Sequence, residues 1–371
     1  MRTLVVVLGD QLDLDAAAFD DFDPALDAVR MAEVAEESQH VWSAKQRIAV
    51  FLAVMRHFAQ ALRAAGRTLH YTRLNGPDNR GILAAELGAA IAALKPQRVV
   101  MTAPGDWRVW KSLSTVAEGA GLALEVREDR HFFTTVREFA AHGQGRKSLR
   151  MEYLYCEQRK RHGTLMTNGE PEGGRWNFDA DNREALGRAG PVDVPARAAF
   201  EPDDITREVI ALVDARFADH PGALDDFAWP VTRADALLAL QQFVRDRRPL
   251  FGRHEDAMWP SEPWLYHSHL SSSLNLKLLV AREAVQAAED AYRSGHAALQ
   301  SVEGFFARSS AGASTCAAST GRGCLAMPSA TPSPPRKTCP PGTGPARPTW
   351  RACARSSRRR CDTATRTTSS A

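Results

Sequence analysis

Hydrophobic positions follow two rhythms along this chain. Thr3–Leu8 (TLVVVL) is an unbroken apolar run ending at Gly9-Asp10, and Asp27–Ala32, Leu69–Leu74, Arg98–Thr102 and Ala123–Glu128 are further short runs of strand character. Short apolar runs bounded by turn residues suit strands buried on both faces of a parallel sheet. Between them the period lengthens. Ile48, Phe51, Leu52, Met55, Phe58, Ala59 and Leu62 recur every three or four positions, so Lys45–Ala65 predicts an amphipathic helix that Gly66 ends. Ile82–Leu94 and Trp110–Ala120 predict two more helices. Strand–helix alternation with short turns predicts an α/β domain over residues 1–135, with a parallel sheet covered on both faces.

Ligands of such sheets bind beyond the carboxyl ends of the strands, which makes Gly9, Asp10 and Gln11 the first candidates. No G-x-G-x-x-G and no Walker A sequence follows the first strand, so neither phosphate fingerprint is present. Residues 136–203 read as an interdomain linker. Within it Arg146, Lys147, Arg150, Arg159, Lys160 and Arg161 interleave with Tyr153, Tyr155, Trp176 and Phe178. That mixture can track a phosphate backbone and stack bases, and it equally describes a solvated linker anchored by a Trp. Residues 204–306 read as all-α, with amphipathic segments at Ile205–Phe217, Arg233–Arg247 and Leu270–Ser294.

Composition changes the picture at one place. The net charge of +3 hides a break: residues 308–371 carry 11 Lys+Arg against one acid, Asp362, while the preceding 307 residues carry 36 basic and 43 acidic groups. The tail also has five of the six cysteines and eight of the 21 prolines, and no Ile, Val, Phe or Tyr. Such a segment cannot bury enough apolar surface to offset its ordering entropy, so 307–371 is expected to be a disordered tail. Its cysteines form no C-x-x-C pair, which leaves zinc and disulfide readings without support; a basic nucleic-acid-binding tail is the ordinary alternative. The apolar run Leu4–Leu8 is too short for a signal peptide or a membrane span, which predicts a cytoplasmic protein.

Several clusters could carry chemistry. His267-Ser268-His269-Leu270-Ser271-Ser272-Ser273 opens the segment expected to be helical from Leu270. Serines there can cap amides, or, with the helix's positive end, hold an anion. His267 and His269 with His254, Glu255 and Asp256 could ligate a metal, but His-x-His spacing suits a strand and no metal site is assigned. Asp10, Glu33, Glu36 and Glu37 could pair for hydrolysis, or be solvated strand-end acids. Cys156, the one cysteine of the body, reads as a partly buried small side chain.

Eight short segments, in this order over residues 1–306, resemble the cryptochrome/photolyase superfamily, in particular its bacterial photolyase-related branch, the iron–sulfur (6-4) photolyases. They are Leu8-Gly9-Asp10-Gln11-Leu12, Met55-Arg56-His57-Phe58-Ala59, Pro104-Gly105-Asp106-Trp107-Arg108, Gly145 to Tyr153, Gly173 to Asp179 with Asn182-Arg183, Asp256-Ala257-Met258, His267 to Ser271, and Val302-Glu303-Gly304-Phe305. The resemblance implies a Rossmann-like antenna domain followed by a helical domain that holds FAD, here incomplete. It implies FAD contacts at Phe251, His267, Ser268, His269, Leu270 and Ser271. It implies a lumazine-type antenna chromophore at Gly9, Asp10, Gln11 and Glu37, and UV-damaged DNA along Arg146, Lys147, Arg159, Lys160 and Arg161. The implied protein is a monomer with no membrane association. Its activity is light-driven electron transfer from reduced FAD to a pyrimidine dimer flipped from the duplex; a blue-light photoreceptor without repair is the alternative.

In the family the lesion-side histidines, the relay aromatics and the four cysteines of a 4Fe-4S cluster lie beyond the Val302–Phe305 match, and here the resemblance stops at Phe306. Those ligands are absent from this chain, and no catalytic residue is assigned in it. Ala307–Gly321 can be back-translated so that one added base restores Arg-Gln-Ile-Ile-Gly-Trp-Arg-Glu-Tyr-Val-Arg-Gly-Ile-Tyr-Trp, which resembles the family's continuation. The tail is therefore expected to be out of frame, and this polypeptide an inactive, truncated form.

Overall fold

The computed structural model describes residues 1–146 and 150–312. Its first half holds β1 (Thr3–Val6), β2 (Ala28–Ala32), β3 (Leu69–Thr72), β4 (Arg98–Thr102) and β5 (Leu124–Arg127). All neighbours pair in parallel in the order β3-β2-β1-β4-β5, with Val5 beside both Val29 and Val100. The five expected strands and the expected α/β class are present. The helices of this half are α1 (Ala35–His40), which the sequence reading lacked, α2 (Lys45–Ala64), α3 (Leu83–Leu94) and α4 (Trp107–Gly119). α4 starts earlier than its apolar pattern because the Asp106 carboxylate caps it, accepting from the Arg108 amide at 2.7 Å.

Strand alternation sorts the sheet into two faces. Val5, Val7, Val29, Met31 and Val100 pack on α2, whereas Leu4, Val6, Val99 and Met101 pack with Leu87 and Ile91 of α3 and Val109 and Leu113 of α4. The β2 residue Arg30 interrupts the second face, and it is paired there with Glu86 of α3.

The segment expected to be a linker is itself folded. It contains α5 (Val136–Gly143), α6 (Met151–His162) and a short hairpin of Met166–Thr167 with Glu170–Pro171. After it come α7 (Asp204–Arg216), α8 (Arg233–Gln242), α9 (Arg248–Phe251), α10 (Ser271–Asn275), α11 (Ala281–Arg293) and α12 (Leu299–Phe306). A π turn over Phe243–Arg247 joins α8 to α9, carrying that helix past its expected end.

Two further expectations differ. Leu270–Ser294 is not one helix. Lys277 adopts a left-handed conformation, φ +65°, and its ammonium reaches Asp129 at 2.8 Å. The chain restarts at Val280, whose amide donates to Glu283 Oε1 at 2.7 Å. The apolar period runs through this break and so conceals it. At the other end, α12 continues into a π turn over Ala307–Gly312, where Arg308 pairs with Asp256 at 2.7 Å. Those six residues of the expected disordered tail are thus helical; the rest of that expectation lies outside the described residues.

One buried knot joins the two halves. Glu33, at the end of β2, accepts from Arg56 Nε at 2.7 Å and Nη2 at 3.1 Å, from the Tyr71 hydroxyl at 2.5 Å and from the Leu74 amide at 2.7 Å. Arg56 Nη1 also lies 3.0 Å from Glu208 of α7. Every lone pair facing inward has a donor, which is the condition for a buried ion pair to hold. Arg56→Met leaves the Glu33 carboxylate buried without its cation, and the expected loss is about 3–5 kcal/mol of unfolding free energy in urea. A loss under about 1 kcal/mol would show that the knot is not structural.

Candidate functional site

β1 continues to β2 on one side of it, and β4 to β5 on the other, so the carboxyl ends of β1 and β4 flank a topological switch point, where open α/β sheets bind ligands. Gln11 ties the two ends together: its Nε2 donates to the carbonyls of Thr102 at 3.0 Å and Ala103 at 3.2 Å. Its Oε1 is buried and has no partner among the described residues.

A cavity of about 650 Å³ opens at this point. Asp10, Gln11 and Asp129 line it from strand ends, Arg47 and Phe51 from α2, and Ser271, Ser272 and Lys277 from the helical half. A second cavity of about 300 Å³ shares Asp10, Arg47, Phe51 and Pro104 with the first and adds Gly9, Glu37 and Arg108. Gly9 leaves room for α2: a Cβ there would come 3.0 Å from Met55 Sδ and 3.6 Å from Phe51 Cδ1, so the methionine would have to shift slightly.

The electrostatics of the larger cavity are nearly balanced. Lys277, its side chain 5% exposed, is already paired with Asp129. Desolvation raises the Asp10 pKa above the ordinary aspartate value, with Lys277 pulling it the other way. His131 is drawn below the usual imidazole value by burial and by Lys277, and its Nε2 lies 2.9 Å from the Leu274 carbonyl. The site thus presents hydroxyls, amides and carboxyl groups beside aromatic surface.

The residues expected at a lumazine chromophore therefore do gather, but around two adjoining cavities: Gly9, Asp10 and Glu37 at the smaller, Asp10 and Gln11 at the larger. The residues expected at FAD do not gather. His269 has a left-handed backbone, φ 55°, which turns the chain between the two serines. Ser271 lines the large cavity, whereas Ser268 and His269 line a crevice of about 20 Å³, room for little more than a water molecule. Leu270 is core, and Phe251 packs edge-on against Phe243 and Phe305 at 5.5 and 5.9 Å. His267 lines none of these cavities, and burial lowers its pKa.

Among the residues expected to face DNA, Arg159 is inside. It is wholly buried and donates to the carbonyls of Leu165 at 2.6 Å and Trp176 at 3.1 Å, so it fastens α6 to the following loop. Lys160 lies exposed over the Trp176 ring at 5.2 Å. Arg161 pairs with Glu138 at 2.6 Å and Arg146 with Glu157 at 2.9 Å, both on the surface. Lys147 lies outside the described residues.

Of the acids that could have paired, Glu33 belongs to the buried knot, and Glu36 and Glu37 both face Arg108. Burial pushes the half-buried Cys156 thiol up, away from nucleophilic use. Among the described residues no three His, Cys, Asp or Glu side chains converge as a metal site would. The sequence reading missed Arg47, Asp129 and Lys277. Asp129 follows β5 and was within reach of the strand-end rule that selects Asp10; Lys277 was hidden inside a helical period.

A sequence profile of the family described as deoxyribodipyrimidine photo-lyase-related protein matches residues 5–229. A (6-4) photolyase of Agrobacterium fabrum is 43% identical over 306 residues, which is 82% of this chain. The chain spans 60% of that relative's length. Among solved structures, a bacterial class III photolyase from Agrobacterium tumefaciens aligns with a TM-score of 0.48 at 14% identity, over 83% of this chain and 56% of that one.

The crevice generates a pH prediction. Burial, then Arg247, lowers the His269 pKa from 6.5 to about 4. A depressed histidine stabilises the fold while neutral, so its contribution is complete above pH 6.5 and is lost as the pH falls toward 4. Denaturant melts should show up to about 3 kcal/mol of acid destabilisation over that window, flattened in His269→Gln. An unchanged slope in the variant refutes the assignment.

Proposed function

The chain belongs to the deoxyribodipyrimidine photo-lyase-related protein family, and from that premise we propose that it is the antenna-bearing part of a light-driven lyase for (6-4) photoproducts in DNA. The observation that carries the reading is the 43% identity over 306 residues to a (6-4) photolyase.

A lumazine-type chromophore suits the two adjoining cavities. Their volumes fall within the ~300–1,000 Å³ of small-molecule sites. Phe51 supplies aromatic surface, and the unpaired buried Gln11 Oε1 and Ser272 Oγ supply hydrogen-bonding capacity for a ring N–H and ribityl hydroxyls. Asp10 and Glu37 would hold the ligand from the strand ends, and Gln11 would fix its depth. Such a chromophore supplies light absorption.

FAD, the electron source in this family, does not fit the described residues as a diphosphate ligand. Ser268 and Ser271 open to different cavities, α10 is only five residues long, and Lys277 is already neutralised. The reading therefore assigns the flavin grip, the 4Fe-4S cluster and the lyase reaction to the whole protein and not to this polypeptide. UV-damaged DNA would meet the surface of Arg146, Lys160 and Arg161 beside exposed Tyr153, where guanidinium and ammonium groups can neutralise phosphates.

An orphaned cation supports the view that this polypeptide lacks part of its helical half. Arg248 is wholly buried over the Phe305 ring at 5.0 Å, and none of its guanidinium nitrogens has a hydrogen-bond partner among the described residues. Desolvation alone draws its pKa down to about 9. A helical half stripped of a partner element would hold such a group, as would one whose sequence leaves the family at residue 307.

The reading is tested by sequencing the gene around codon 307, and by comparing the 371-residue chain with a frame-restored one. The restored protein should bind flavin and remove (6-4) photoproducts in light, and the given chain should do neither. Flavin binding without repair by the restored protein would favour the photoreceptor. Light-dependent repair by the given chain would overturn the proposal. Separately, Arg248→Met should stabilise the given chain by about 1–4 kcal/mol, since it removes a buried charge that has no partner to lose. A net destabilisation would mean that Arg248 is paired.

A further inference from the structure

We propose that α1 is a lid over the smaller cavity and that Arg108 is its latch, a positioning residue that holds Glu37 against the ligand. The identity of the ligand rests on the antenna reading above; the latch does not.

α1 is unlike the other helices of the sheet domain. None of its residues is buried, and the Val41–Trp42 pair that follows it is 62% and 67% exposed. Without an apolar face to bury, a six-residue helix has almost no stability of its own. Yet Glu37, Ser38, His40 and Val41 form one wall of the cavity of about 300 Å³, opposite Gly9 and Met55. Apart from Ala35, which packs partly buried against the core at the start of the helix, polar ties keep this wall in place.

Among the described residues, every side-chain hydrogen bond and ion pair of α1 runs to Arg108. Its Nη2 donates to both Glu37 oxygens, at 2.8 and 3.1 Å, and its Nη1 to Glu36 Oε1 at 3.4 Å. The other tie is one backbone bond, from the Glu36 amide to the Gly81 carbonyl at 3.1 Å. Arg108 stands in the first turn of α4, after β4, whereas α1 follows β2. β2 and β4 flank β1, so the bridge spans the end of β1, where Gly9 and Asp10 lie. Asp106, 3.4 Å from Arg108 Nη2 and itself held as the cap of α4, sets the guanidinium from its own side.

The latch is built to open. The Arg108 and Glu37 side chains are 31% and 40% exposed, so water and salt compete for the pair and its strength is modest. Release would swing Glu37 and Val41 off the cavity and admit a flat heteroaromatic ligand. Reclosure would return the Glu37 carboxylate to the ligand's edge in one orientation. Burial alone would lower the Arg108 pKa, but the bond to Glu37 together with the charges of Glu37, Asp106 and Glu36 outweighs this and leaves it raised, so the cation persists at any pH at which the lid works.

The test uses the full chain and two readouts. Hydrogen exchange of residues 35–42 should quicken about three- to tenfold in Arg108→Gln and equally in Glu37→Gln, with no further gain in the double variant. Salt at 0.5 M should do the same to the unaltered chain and nothing to the variants. A fluorescent ribityl-lumazine should both bind and dissociate faster from Arg108→Gln, and dissociate faster still from Glu37→Gln, which loses the contact as well as the latch. Unchanged exchange at residues 35–42 in both variants overturns the latch. Quickened exchange with unchanged lumazine kinetics overturns the lid. Failure of the unaltered chain to bind lumazine sinks the antenna reading and the lid's role with it, while the exchange result still decides the latch.

Discussion

The geometry at the strand ends depends on the Glu33–Arg56 knot. A carboxylate and a guanidinium are both taken out of water there, which is costly; Arg56, Tyr71 and the Leu74 amide supply the carboxylate's hydrogen bonds, and Glu208 of α7 adds a second negative charge 3.0 Å from Arg56 Nη1. The knot sets α2 across one face of the sheet. Arg47 and Phe51 of that helix line both cavities, and Met55 lines the smaller one. A shift of α2 would move that lining and the α7 contact together, because Arg56 holds both.

A second constraint closes the site from the helical half. Lys277 leaves helical backbone geometry and pairs with Asp129, and Ser271 and Ser272 of the short helix before it line the cavity. The cavity is consequently shared between two halves that the chain builds separately. It carries two cations and three acids; Lys277 pairs with Asp129, and Glu128 pairs with Arg137.

The segment between the halves shows why a run of basic residues is a weak guide to a surface. Six arginines and lysines and several aromatics sit close together in sequence, but a helix sends neighbouring side chains in different directions. Arg159 turns inward and uses its planar fork on main-chain carbonyls, while Lys160 and Arg161 remain outside. One position along the helix separates a structural fastener from a candidate phosphate contact.

Local pattern was enough for the parallel sheet: each strand is a short apolar run, and parallel strands buried on both faces can hardly be written otherwise. The same logic placed α2 and α3, and it put the candidate residues Gly9–Gln11 at a strand end, where a cavity opens. Composition alone located the break near residue 307. The tertiary structure decided what depends on groups far apart in the chain. Glu33 reads as a solvated acid until Arg56, Tyr71 and Leu74 surround it. The five residues from His267 to Ser271 read as one cradle until a left-handed His269 divides them, and Lys277 reads as helix interior until Asp129, 148 residues earlier, draws it out of the helix. Periodicity reports which side chains can share a face; it carries no information about a partner contributed by a distant element, and at this site those partners set the chemistry.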